Sequence, residues 1–179
     1  MKHHLMAGLI VLALVGRLIP HPDNFTPMLA VALFGGAMLS GRMAYVIPLV
    51  AMFLSDLLMG NSITWMTPVI YACFALGSGL GQWLGRGRTW PKTALVALAG
   101  SFLFYVVTNF AVWMSSDGLF TQTPLYPHTL DGLIQCYFMA LPFFRNDIAG
   151  NVLWSATLFG LFDLIQLWIR TYQTKGFAH

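Results

Sequence analysis

Six apolar runs, at about 4–19, 28–41, 43–59, 68–85, 93–114 and 149–170, follow one another along the chain, and most charged side chains fall in the breaks between them. Each run is near the length that crosses ~30 Å of hydrocarbon as a helix. A soluble domain of 179 residues needs a charged skin, and fifteen Asp, Lys and Arg with no Glu cannot supply one. The natural solvent of such a chain is lipid. The expected fold is an all-α membrane protein, a six-transmembrane-helix bundle forming one integral domain over residues 1–179.

The charges also give an orientation. With the N-terminus in the cytoplasm, the inner side carries Lys2, Arg42, Arg86, Arg88, Lys92, Arg170 and Lys175. The outer side carries Arg145, with Arg17 just inside the membrane near that face. This asymmetry obeys the positive-inside rule and predicts that both termini are cytoplasmic. The opening stretch "MKHHLMAGLIVLALVGRLIP" begins like a signal peptide but meets Arg17 and proline where a small-residue cleavage site would stand, so it reads as a retained first span. The net charge of +3 comes from scattered basic residues rather than a stripe, which argues against a nucleic-acid partner. Pro27 and Pro68 stand at first turns of their runs, where a missing N–H costs little, whereas Pro48 falls inside the third run and should kink it.

Polar chemistry gathers on the outer side. The turn "RLIPHPDNFTP" at 17–27, the connection "GNSITWMT" and a long segment at 115–148 all lie there. The long segment contains an amphipathic stretch at 129–142, and is expected to act as a lid, since a loop of that length in a compact domain usually serves binding. Arg17 and Asp56, at the outer ends of spans one and three, are costly at membrane depth unless paired or facing a cavity. They are expected to pair or to meet a ligand. Arg145 could grip an anionic or amide group through its forked donors. His21 and His128 flank proline and could bind metal, but no third ligand follows at helical spacing. Asn24 and Phe25 in the first turn, Asn109 near the end of span five, and Tyr71, Tyr126 and Tyr137 complete the candidate substrate-binding set.

Two cysteines, Cys73 and Cys136, stand without a CxxC or metal-type spacing. Cys73 continues into Gly77, Gly81 and Gly85 at intervals of four, and Ala32, Gly36 and Ser40 repeat the pattern on span two. Such small-residue faces allow close helix approach. They suit packing within the bundle or docking of an energising membrane subunit. No Gly-rich, Lys-containing nucleotide-binding motif occurs, so ATP use would need such a partner.

The stretches "RLIPHPDNFTPMLAVALFGGA", "SDLLMG", "TNFAVW" and "YPHTLDGLIQCYFMALPFFRN" resemble a group of small bacterial membrane proteins. That group is related to the substrate-binding S components of energy-coupling factor vitamin transporters. The resemblance runs over most of the chain and is strongest in 17–41 and 101–150. It implies a multi-pass protein of the bacterial inner membrane, with a vitamin-sized ligand held near the outer face beneath long loops. Within that group the solitary cobalamin-transporter type is the nearest, which would make cobalamin the transported ligand and Cys73 a soft ligand to its cobalt. Two other classes compete. An intramembrane serine protease would need a GxSG motif, and Ser78 in "ALGSGLG" lacks the first glycine. A structural or assembly subunit would explain the small-residue faces but not the polar outer loops.

Overall fold

The computed structural model describes residues 2–39, 41–116 and 125–176. Among these every regular element is a helix: α1 (Lys2–Leu18), α2 (Met28–Met38), α3 (Met43–Leu58), α4 (Met66–Leu84), α5 (Trp90–Met114), α6 (Leu130–Met139) and α7 (Leu141–Gly176). Local chemistry explains several boundaries. The Thr129 hydroxyl accepts from the Gly132 N–H at 3.2 Å and caps α6. Pro91 lies in the first turn of α5, where its ring geometry suits a helix start. Gly85 ends α4 at φ +65°, a conformation that side chains disfavour, while its N–H still bonds the Gly81 carbonyl at 3.0 Å.

The centre of the bundle is α2. All eleven of its residues are buried, and α1, α3, α4, α5 and α7 all pack on it. Phe34 meets Phe159 and Phe162 of α7 edge to face, with ring centroids 5.0 and 5.8 Å apart. At ~1.5 Å per residue α2 is about 16 Å long, roughly half a bilayer core. The second apolar run is therefore a short internal helix rather than a lipid-facing span. Its tightest neighbour is α4. A Cβ at Gly36 would collide with the Ser78 carbonyl, and one at Gly81 with the Leu33 carbonyl. The small-residue faces predicted at Ala32, Gly36, Gly77 and Gly81 are sealed against each other inside the chain. As a docking surface for another subunit they are not available, which corrects that expectation. Gly85 serves the α4 terminus, and Ser40 lies outside the described residues.

Successive helices run back and forth, giving the bundle two chemically different ends. One end holds the 19–27 turn, the α3–α4 connection and α6. The other holds Arg42, Arg86, Arg88 and Lys92. At this basic end Arg86 donates to the Met38 carbonyl at 3.0 Å, closing the C-terminus of α2. Arg88 grips both carboxylate oxygens of Asp163 at 2.8 Å and lies over the rings of Trp90 and Phe159. Arg88 lies in the connection between α4 and α5, so this pair ties that connection to α7.

The exterior is apolar. Leu57, Leu58, Trp83, Phe102, Leu164 and Trp168 are among many large hydrophobic side chains that are 60% or more exposed. Exposed apolar side chains in such number mark surface that lipid or another protein covers. Two helices, Trp90–Met114 and Leu141–Gln173, are long and apolar enough to cross a membrane, while Met6–Leu18, Met28–Met38 and Met43–Leu58 are apolar but shorter.

Candidate functional site

Because α2 is short, the space above its N-terminus is filled by the turn that precedes it. Asn24 takes φ +63°, which an Asn tolerates better than most residues. This left-handed step folds 19–27 back over α2. The turn is then fixed from the side: Asn146 of α7 donates to the Asp23 carbonyl at 3.0 Å, and Phe25 lies against Gly150 one turn further on.

On the opposite side of the turn Arg17 reaches from the end of α1 into α3. Its Nη1 contacts Asp56 Oδ1 at 2.9 Å, Ser55 Oγ at 2.6 Å and Met52 Sδ at 2.9 Å. Asn61 donates to the same Asp56 oxygen at 3.2 Å, and Tyr71 to the other oxygen at 3.2 Å. The predicted Arg17–Asp56 pair is present, with side chains only 13% and 17% exposed. Both charges are satisfied within the protein, so the cluster is neutral towards its surroundings.

Between the turn, α4, α5 and the start of α7 lie two adjoining cavities. The larger, about 270 Å³, is walled by Ile70, Phe104, Tyr105, Phe143 and Phe144, with Asn24, Thr108 and Asn109 as polar groups. The smaller, about 140 Å³, sits over the start of α2 and is bounded by Arg17, Thr26, Met28, Leu29 and Met52. Asn24, Ile70, Phe104 and Asp147 line both, so the two form one bipartite space. Apolar walls carrying a few placed polar groups are the usual make-up of a small-molecule site.

Asp147 is the residue that sequence reasoning missed. It lies on α7 at the head of a four-residue repeat: Asp147, Asn151, Ser155, Phe159 and Asp163. This face packs on α5, where Asn151 donates to the Ala97 carbonyl at 2.7 Å and to Ser101 Oγ at 3.1 Å, and Ser155 donates to Asn151 Oδ1 at 3.3 Å. The Ser101 hydroxyl also sits beside the Asp147 carboxylate. The second oxygen, Oδ2, is buried and has no hydrogen-bond partner. Among the described residues only Trp154 Nε1 shares that condition, and Trp154 lines neither cavity.

Of the predicted site residues, the structure brings Arg17, Asn24 and Asn109 to the cavities. Asp56 and Tyr71 stand behind Arg17 as its support, and Phe25 anchors the turn. Cys73 is fully buried in the packed interior and lines neither cavity. His128 and Tyr137 are used as fasteners: His128 Nε2 donates to the Trp113 carbonyl at 2.9 Å, and Tyr137 to that of Val106 at 2.7 Å, tying α6 and its approach to α5. His21 Nδ1 contacts the Pro22 carbonyl at 2.8 Å. Tyr126 is half-buried away from the cavities, and Arg145 is exposed with no ion pair to a described residue. The segment expected to be a lid resolves into α6 and the first turns of α7; its residues 117–124 lie outside the described residues. Ser78 Oγ donates to the Phe74 carbonyl at 3.2 Å inside the α2–α4 contact.

Among the described residues, an all-helical bundle with two helices long and apolar enough to cross a membrane, hollowed at its less basic end, defines the class of this protein. Residues 1–173 match the model of a family described as a family of unknown function, DUF6580, and the chain belongs to that family. No curated protein and no solved structure matches the chain.

Proposed function

We propose that this protein is a multi-pass protein of the bacterial inner membrane that captures a small organic solute from the outer side and carries it inward, in the manner of a vitamin-transporter S component. The single observation that carries this reading is the bipartite cavity, set at the end of the bundle opposite Arg42, Arg86, Arg88 and Lys92. With the basic end in the cytoplasm, as the positive-inside rule demands, that cavity faces outward. Both termini are then cytoplasmic, and the chain crosses six times. The second crossing is made by the 19–27 turn together with α2. Irregular backbone is tolerated at membrane depth where it is buried in protein or lines a cavity, and interrupted crossings of this kind commonly mark transporter binding sites.

The ligand is a compact molecule. Chambers of about 270 and 140 Å³ are far smaller than a corrinoid, and Cys73 lies away from both, so the reading favours a smaller vitamin-like solute over cobalamin. An energising subunit would dock on the lipid-facing sides of α3, α4 or α7, since the α2–α4 faces are consumed internally. The test is a vitamin-sized panel in a thermal-shift assay on purified protein, with mass spectrometry of whatever co-purifies. One chemical class should raise the melting temperature; a panel and an extract both without effect would contradict the proposal.

A further inference from the structure

An ionised carboxylate is rarely buried without a partner, because losing water costs far more than packing returns. Asp147 Oδ2 is in that position, and Asp147 lines both cavities. Arg17, which lines the smaller cavity with Asp147, does not pair with it. The Arg17 Nη1 is committed to Asp56, Ser55 and Met52, and its charge is cancelled by Asp56. In the larger cavity Asp147 is the one charged side chain among the described lining residues, and it stands among Phe104, Tyr105, Phe143 and Phe144. Aromatic faces attract cations as well as apolar bodies. Tyr105 and Phe144 are stacked at 4.3 Å, which gives this wall a flat and rigid surface.

We infer that the cavity binds a compact organic cation, an aromatic or alkyl amine whose ammonium group pairs with the Asp147 carboxylate while its apolar body lies against the aromatic wall. This rests on the reading of the cavity as a ligand site and adds the charge class of what enters it. Asn24 and Asn109 supply neutral hydrogen-bonding groups that orient the rest of the molecule. Ser101, which sits beside the Asp147 carboxylate, is itself held by Asn151 at 3.1 Å.

The experiment compares three probes of similar shape on the full-length protein in detergent at neutral pH: 2-phenylethylamine, 2-phenylethanol and phenylacetate. Binding is read by thermal shift and by titration. The amine is expected to bind roughly tenfold to a hundredfold tighter than the alcohol, the span a charge-assisted hydrogen bond supplies. Asp147→Asn should remove that advantage, and the exposed control Asp131→Asn should keep it. If the alcohol or phenylacetate binds as well as the amine, the cavity remains a ligand site but the inference about charge is overturned. Should none of the three bind the wild-type protein, the reading of the cavity as a ligand site falls with it. The wild-type comparison decides the charge class even if Asp147→Asn does not fold.

Discussion

Asn146 donates its side-chain amide to the main-chain carbonyl of Asp23 at 3.0 Å, joining the first interhelical turn to the last helix across 123 residues. That bond holds Asn24 at the junction of the two cavities. Asn146→Ala is expected to cost about 1 kcal/mol of stability, the usual net worth of such a bond. It should also weaken binding of any solute that Asn24 helps to orient. Thermal melts with and without ligand check both parts.

The α2–α4 contact is the least forgiving in the bundle. Ala at Gly36 or Gly81 would drive a Cβ into the carbonyl of Ser78 or Leu33, and packed backbone cannot swing aside as a side chain can. Either substitution should destabilise by about 3 kcal/mol, at the upper end for overpacking. Gly8→Ala meets nothing within 4 Å and lies inside α1, so it should be neutral or stabilising by about 0.5 kcal/mol. Melting curves of the three variants give the comparison.

Arg17 and Asp56 form a largely buried pair. Asp56→Ala strands the guanidinium in an apolar setting, and should cost roughly 3 kcal/mol. Replacing both residues, as Arg17→Met with Asp56→Leu, should recover most of that loss. A double-mutant cycle measured by thermal or chemical unfolding reports the coupling.

Arg88 does three things a lysine cannot do together: it bonds both Asp163 oxygens, donates to the Phe159 carbonyl at 3.2 Å and stacks on two rings. Arg88→Lys should therefore lower stability by about 1–2 kcal/mol despite keeping the charge. Equal melting temperatures for the two proteins would contradict this.

Cys136 is buried on α6, and burial pushes its thiol above the ordinary range. The folded state thus favours the protonated form. The stability this contributes is present at neutral pH and is lost as the pH rises through the folded-state value. Alkylation of the native protein at neutral pH should be slow and should accelerate on unfolding, as a maleimide time course with mass detection will show.

Much of this fold was legible because apolar runs and helix boundaries obey the same local rules. The starts of α2 at Met28 and α3 at Met43 fall where the runs and Pro27 place them, and α6 at Leu130–Met139 lies within the predicted amphipathic stretch. Run length alone did not reveal that α2 is internal, since a helix buried in protein and one facing lipid are equally apolar. The site was harder to see. Pro142 occupies the first turn of α7, where proline fits, so the helix begins well before the apolar run does. Placing the start of that helix near 149 hid the four-residue repeat that joins Asp147 to Asn151 and Ser155. The spacing itself, Asp147, Asn151, Ser155, was the signal. Arg17 and Asp56 were readable as a pair because few other charges lie at membrane depth, while the neutral cavity walls carry no such mark.

The direct test of the account is the sidedness of the cavity. Cys73 and Cys136 are both buried, so single cysteines can be added on a quiet background. Ser62→Cys marks the exposed α3–α4 connection near the cavity, and Gly87→Cys the exposed connection at the basic end. An impermeant maleimide applied to intact spheroplasts should label Ser62→Cys at once, and Gly87→Cys only after the membrane is opened. Labelling of Gly87→Cys in sealed spheroplasts, with Ser62→Cys protected, would contradict it.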